Sequence, residues 1–143
     1  MIFYTDGACR GNPGPGGWAF VALEGEEVRE HRTGGAARTT NNIMEMTAAL
    51  EALKCCASIG GSFHILYTDS AYVLGGLTSW CKNWQKNGWL TSKKEPVKNQ
   101  ELWRELWHWY QKCDISICKV KGHADSYWNN FVDEAAVFES KQF

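Results

Sequence analysis

The chain has 143 residues, a net charge of −1 and 44% hydrophobic residues, which is typical of one globular domain. No apolar run approaches the ~20 residues of a membrane-spanning helix. The N-terminal sequence lacks the basic and apolar regions of a signal peptide, so we expect a cytoplasmic protein with reduced thiols. The six cysteines do not form the paired C-x-x-C units of a zinc site.

The tripeptide Tyr-Thr-Asp occurs twice, at residues 4–6 and 67–69, each time after a short apolar run. Such β-branched and aromatic runs predict buried strands. If the strands are parallel neighbours, Asp6 and Asp69 lie side by side at the carboxyl edge of the sheet, where α/β proteins place their sites. Because close carboxylates repel each other without a cation between them, the pair indicates a divalent metal site. The alternative is that each Asp caps the segment that follows.

Residues 7–17 contain five glycines and two prolines, which predicts a shaped loop rather than a helix or a central strand. The loop is either an ordinary tight connection or one whose backbone approaches a ligand. It matches neither a P-loop nor a dinucleotide fingerprint. Residues 18–23 and 28–33 then predict an antiparallel hairpin whose second strand is a solvated edge.

A helix is predicted to begin near residues 38–42, where Thr40, Asn41 and Asn42 are all favourable N-caps. Glu45 follows in the expected first turn. It either closes a capping box with Asn42 or leans over the end of the sheet. The core stripe of this helix recurs at helical spacing and consists of Met46, Ala49, Leu50, Leu53 and Ala57.

Residues 70–77 predict a short helix broken by glycines, and residues 80–98 predict an excursion from the body of the domain. The excursion carries five lysines against one glutamate, a local charge of +4, and three tryptophans. Those indoles either pack in the core or contact a ligand. The residues concerned are Lys82, Lys86, Lys93, Lys94, Lys98, Glu95, Trp80, Trp84 and Trp89.

The C-terminal third predicts a helix over residues 100–112, a strand over 115–120 and a closing helix over 128–140. Asp133 lies in the closing helix, and His123 lies in the loop before it. Three residues of that helix are expected to face the body of the domain, namely Phe131, Ala135 and Phe138.

Four acids stand out on these elements, namely Asp6, Glu45, Asp69 and Asp133. Together they form an all-oxygen ligand set, which suits Mg²⁺ or Mn²⁺ rather than zinc or copper. Mg²⁺ bound by a few carboxylates is typical of phosphoryl transfer or phosphodiester hydrolysis. Two ions about 4 Å apart can activate a water and stabilise the leaving oxygen.

Six segments resemble bacterial type 1 ribonuclease H in order and spacing, over nearly the whole chain. The resemblance implies an α/β ribonuclease H-like fold, with a mixed five-stranded sheet of order 3-2-1-4-5, strand 2 antiparallel, flanked by helices. It implies one catalytic domain over residues 1–143 with a basic Trp/Lys handle at about 80–98. No separate hybrid-binding domain is expected, so processivity should be low. The segments are residues 4–17, 39–45, 68–73, 80–89, 96–103 and 120–124.

The resemblance further implies cleavage of the RNA strand of RNA–DNA hybrids by a monomer, leaving 5′-phosphate and 3′-hydroxyl ends. It assigns the four acids Asp6, Glu45, Asp69 and Asp133 to two Mg²⁺ ions bound with substrate, with Mn²⁺ as a substitute. It assigns His123 to proton transfer or product release, for which the ordinary imidazole pKa is suited.

The chemistry of other residues agrees with a hybrid substrate. The amides of Asn12, Asn41 and Asn42 suit the reading of 2′-hydroxyls across a minor groove. Thr40, at a helix N-terminus, suits a phosphate of the DNA strand. Further substrate contacts are expected from charge, from stacking and from the glycine-rich loop, namely Lys82, Lys86, Trp80, Trp84, Trp89 and Cys9.

Two positions depart from the family pattern. Ala71 stands where members often have Gln, which predicts a missing substrate contact, and Asn130 stands where an acid is usual, which predicts altered metal tuning. Two other readings are a DNA-cutting nuclease of the same superfold, such as a resolvase or transposase core, and an inactive hybrid-binding module. The handle and the glycine-rich loop argue against the first, and the four acids argue against the second.

Overall fold

The structure is a computed structural model that describes residues 1–120 and 126–143. Its strands form one mixed sheet in the order β3-β2-β1-β4-β5, in which β2 is antiparallel to both neighbours and β4 is parallel to β1 and β5. This arrangement confirms the expected fold class. The strands are β1 (Ile2–Cys9), β2 (Gly14–Glu24), β3 (Glu27–Thr39), β4 (His64–Thr68) and β5 (Ile115–Lys119).

Helices cover both faces of the sheet. Side chains of β2 alternate between the two faces, so that Phe20 packs in one core with α1 and α4, and Val21 packs in the other with α5. No helix among the described residues is long and apolar enough to cross a bilayer. The helices are α1 (Asn41–Ile59), α2 (Ala71–Gly75), a π-helical turn (Gly76–Trp80), α3 (Cys81–Asn87), α4 (Gln100–Gln111) and α5 (Tyr127–Ser140).

Most of the glycine-rich stretch is strand, so the prediction of a loop over residues 7–17 is wrong. Only residues 10–13 connect β1 to β2. The glycines of β2 serve close packing rather than turning, because a Cβ atom at Gly16 would lie 2.8 Å from Cγ of Met44. β3 continues to Thr39, well past the predicted hairpin arm, because it pairs with the glycine-rich part of β2 as far as Gly14.

Two apolar residues that were expected to be buried lie at the surface, namely Phe63, which begins the apolar run before the second Tyr-Thr-Asp, and Phe138. Phe63 is 89% exposed and has a positive φ of 62°, so β4 begins one residue later at His64. Phe138 is 62% exposed. The buried side chains of α5 are small, because its backbone packs directly on β2 at Gly17, and they are Val132, Ala136 and Ser140.

Glycines do not break the helix after β4, contrary to the prediction. The π-helical turn joins α2 to α3 without an interruption. Gly75 and Gly76 leave space there for two indoles, since a Cβ atom at Gly76 would overlap the ring of Trp103 and one at Gly75 would lie 2.7 Å from that of Trp80. Glycine is therefore required here by tertiary packing.

Candidate metal centre

The first two acids are delivered by neighbouring parallel strands. β1 pairs with β4 so that Tyr4 lies opposite Tyr67, and this register places Asp6 and Asp69 side by side two residues later. Asp6 is 3% exposed within β1, whereas Asp69 follows β4 and is exposed. The repeated tripeptide therefore brings two carboxylates to one edge of the sheet, as its spacing predicted.

The third acid, Glu45, comes from the second turn of α1. The helix is capped by Thr40, whose Oγ1 accepts a hydrogen bond of 3.2 Å from the Ile43 N–H. The capping box with Asn42 is therefore wrong, and Glu45 is free for another role. Its side chain is 5% exposed, and its Oε1 atom is buried without a hydrogen-bond partner among the described residues.

One carboxylate oxygen from each of Asp6, Glu45 and Asp69 lies within 4.8 Å of the other two. Asp133, exposed on α5, lines the same cleft of about 380 Å³. The structure thus brings all four predicted acids together. The remaining lining residues are Gly7, Asn41, Asn42, Ser70, Ala71 and Tyr72.

The electrostatics of the cleft favour a bound cation. Burial raises the pKa of Asp6, and the charges of Asp69 and Asp133 raise it further, against a lowering effect of the hydrogen bond with Glu45. Burial also raises the pKa of Glu45, as does the charge of Asp6. A divalent cation would relieve this repulsion and would give the orphaned Glu45 oxygen a partner. Oxygen ligands at this spacing therefore fit a hard ion such as Mg²⁺.

Hydrogen bonds hold the connection between β1 and β2 against the start of α1. The Oδ1 atom of Asn12 accepts a hydrogen bond of 3.0 Å from the Asn41 N–H. The Cys9 thiol donates to the carbonyls of Gly14 and Thr39, each at 3.4 Å. Because the bond to Asn41 uses only the Oδ1 atom, the NH₂ group of the exposed Asn12 amide is available as a donor to a ligand.

The handle presents only part of its predicted surface. Trp80 is 39% exposed, and with the half-buried Trp84 it lines an apolar groove of about 340 Å³. Lys82 and Lys86 are exposed on α3. Trp89 is 7% exposed and packs in the core, so its predicted contact with a ligand does not fit this structure.

Sequence reasoning missed Tyr72 as a site residue. Its side chain lines both the acidic cleft and the handle groove. Its hydroxyl accepts hydrogen bonds from the Trp103 indole at 3.1 Å and from the Asn99 amide at 3.3 Å. The sequence did carry a signal for Tyr72, because it follows Asp69 by three residues and so lies in the helix that begins beside the predicted metal site. The predicted His123 lies outside the described residues.

The fold and the convergent carboxylates define a metal-dependent nuclease of the α/β class. Residues 1–141 match the RNase H family model, and the chain belongs to the ribonuclease H family, whose members are metal-dependent hydrolases.

The similarity extends over nearly the whole chain. The ribonuclease H of Syntrophomonas wolfei is 47% identical over 137 residues, which cover 95% of this chain and 92% of that protein. The ribonuclease H of Rhizobium etli is 50% identical over 133 residues, which cover 93% of this chain and 86% of that protein. The solved structure of LC9-RNase H1, a type 1 RNase H with the type 2 active-site motif, is 27% identical with a TM-score of 0.82, covering 99% of this chain and 72% of that one.

Proposed function

We propose that this protein is an endoribonuclease that hydrolyses the RNA strand of RNA–DNA hybrids and leaves 5′-phosphate and 3′-hydroxyl ends. The observation that carries the proposal is the convergence of Asp6, Glu45 and Asp69 within 4.8 Å, in a chain of the ribonuclease H family. This is the ligand chemistry that in-line phosphodiester displacement requires.

Asp6, Glu45, Asp69 and Asp133 would hold two Mg²⁺ ions when substrate is bound, with Mn²⁺ as a substitute. When bound, such ions activate the attacking water and stabilise the leaving oxygen. Asp6 is oriented for ligation because the Gly7 N–H donates a hydrogen bond of 2.9 Å to its Oδ1. The exposed Asp69 and Asp133 are the ligands best able to adjust as substrate enters and product leaves, because Asp6 and Glu45 are buried.

The hybrid would lie across the acidic cleft and the handle groove together, because Tyr72 belongs to the walls of both. The NH₂ group of Asn12 and the exposed amides of Asn41 and Asn42 are suited to reading the 2′-hydroxyls of RNA. The exposed Lys82 on α3 supplies charge to the backbone of the duplex, together with Lys86.

The side chains of Thr40 and Cys9 also hold local structure, because each makes hydrogen bonds to backbone groups. Thr40 fixes the start of α1 and leaves its hydroxyl proton for a phosphate of the DNA strand. The ring of Trp84 packs against that of Trp80 in the groove, with the two planes tilted by 49°. His123 is proposed to assist proton transfer or product release.

We also propose that one catalytic domain with the handle at about 80–98 acts as a monomer in the cytoplasm. Support comes from a sheet whose two faces are covered by helices of the same chain, and from six free cysteines, which suit a reducing compartment. Light scattering after size exclusion should give the mass of a single chain, and a dimer would contradict the proposal.

Cleavage of end-labelled duplexes tests the function. Hybrid, double-stranded DNA and double-stranded RNA of one sequence are compared in Mg²⁺ and in EDTA. We expect Mg²⁺-dependent cutting of the RNA strand of the hybrid, its loss in Asp6→Asn and its retention in Glu26→Gln, which removes an exposed acid of the β2–β3 turn. Cutting of DNA without cutting of the hybrid would overturn the proposal.

A further inference from the structure

The backbones of β1 and α1 touch at Gly7, the residue that follows Asp6. A Cβ atom at this position would lie 2.5 Å from the carbonyl carbon of Met44 and 2.9 Å from Cα of Glu45, and it would overlap Glu45 N. These are backbone atoms, which cannot rotate away as a flexible side chain can. Because carbon atoms in contact need about 3.5–4.0 Å, any side chain at position 7 would force β1 and α1 apart by about 1 Å.

Gly7 is required for space rather than for an unusual backbone conformation. It is not among the glycines with positive φ, and its N–H, which donates to Oδ1 of Asp6, would be retained by alanine. Substitution by alanine therefore changes the distance between β1 and α1 and preserves the hydrogen bond that orients Asp6.

That distance decides how far the metal ligands lie from one another. Asp6 belongs to β1 and Glu45 to α1, and their nearest oxygens, with one of Asp69, lie within 4.8 Å. Glu45 is 5% exposed, so packing leaves its carboxylate little freedom to follow a displaced helix. Mg²⁺ demands oxygen ligands at about 2.0–2.1 Å in octahedral geometry, whereas Ca²⁺ accepts about 2.3–2.6 Å and irregular geometry.

We propose that Gly7 is a positioning residue that holds α1 against β1, so that the carboxylates enclose an ion of the size of Mg²⁺. The inference rests on the proposed Mg²⁺-dependent function. It makes a residue without a side chain a determinant of cation preference as well as of cation affinity.

Isothermal titration calorimetry of Gly7→Ala with Mg²⁺, Mn²⁺ and Ca²⁺ in turn tests the inference. Gly35→Ala is the matched control, because a Cβ atom at Gly35 in β3 would lie 2.5 Å from the Gly16 carbonyl oxygen and 2.6 Å from the Phe143 ring, outside the acidic cleft. Circular dichroism and thermal melting first establish that each variant is folded.

We expect Gly7→Ala to bind Mg²⁺ about 10–100-fold more weakly than the wild type, which is the usual effect of disturbing the support of a metal ligand. Ca²⁺ affinity should fall much less, so the preference for Mg²⁺ over Ca²⁺ narrows. Gly35→Ala should melt at a lower temperature with both affinities unchanged. Glu45→Asp, which retracts one ligand by a methylene while Gly7 stays in place, should shift the preference in the same direction.

An unchanged ratio of the two affinities in folded Gly7→Ala would overturn the inference. So would an unchanged ratio in Glu45→Asp, or failure of Gly7→Ala to fold under conditions where Gly35→Ala folds, since Gly7 would then serve the fold alone. A wild type that binds Mg²⁺ but does not cut hybrids would overturn the proposed function, while calorimetry would still decide the role of Gly7.

Discussion

Replacing Asp6 by Asn should stabilise the metal-free protein. Asp6 is 3% exposed, and burial, together with the charges of Asp69 and Asp133, raises its pKa to about 8. In the unfolded chain the same carboxyl ionises near pH 4. At neutral pH the folded protein must therefore take up a proton or keep a buried charge, and either costs free energy that an amide does not.

The sign and size of the effect follow from proton linkage. A carboxyl whose pKa is raised on folding costs nothing below pH ~4, and the cost grows as pH rises toward the folded pKa. Each pH unit in that window is worth about 1.4 kcal/mol, so the upper bound at pH 7 is about 4 kcal/mol. Because Asp6 shares protons with neighbouring carboxyls, we expect Asp6→Asn to raise the free energy of unfolding by about 1–3 kcal/mol, or the melting temperature by about 3–9 °C.

Thermal melts in EDTA from pH 4 to pH 8 measure this gain, with Glu26→Gln as the exposed control. The gain should shrink to nothing as pH falls toward 4. Mg²⁺ should raise the melting temperature of the wild type by mass action and that of Asp6→Asn much less. A variant that melts below the wild type at pH 7 in EDTA, or a gain that persists at pH 4, would refute the reasoning.

Three further predictions concern the substrate side. Lys82→Ala with Lys86→Ala should weaken hybrid binding and lower the slope of log affinity against log salt by about 0.7–0.9 per lost phosphate contact, whereas a fall in turnover at unchanged binding would contradict that role. Trp89→Ala should cost about 3–5 kcal/mol of stability in denaturant melts because its ring is buried. Trp80→Ala should cost much less stability and should instead weaken hybrid binding by about 1–3 kcal/mol. Equal losses of stability in the two variants would contradict the assignment of Trp89 to the core and of Trp80 to the binding surface. Ala71→Gln should lower KM by about 2–10-fold if it restores one substrate hydrogen bond, and an unchanged KM would show that no contact is missing.

Features that depend on local pattern were predictable from the sequence. The acids that end β1 and β4 could be paired because strand patterning and parallel register together fix where a side chain emerges. The position of Glu45 beside the core stripe of α1 placed it near the sheet, although the cap is Thr40 and the residue lies one turn further into the helix than expected.

Features that depend on long-range packing were not predictable. Gly16 reads as a turn residue, but the side chains of Thr39 in β3 and Met44 in α1 pack against it and make its small size a requirement within a strand. Trp80 and Trp89 likewise have similar local surroundings in sequence, but one borders solvent and the other lies in the core. Propensity describes one segment at a time, whereas these outcomes depend on segments distant in the chain.

The aromatic packing of the handle gives the protein its own optical probe. The ring of Trp84 lies 5.9 Å from the rings of both Trp80 and Trp103, and Tyr72 packs on the same group at 5.0 Å from Trp103. Indoles this close couple their electronic transitions, so their near-ultraviolet circular dichroism reports the order of the handle separately from the helical content of the whole chain. A duplex that covers Trp80 should quench part of the fluorescence of this coupled group, which allows binding to be followed without a label.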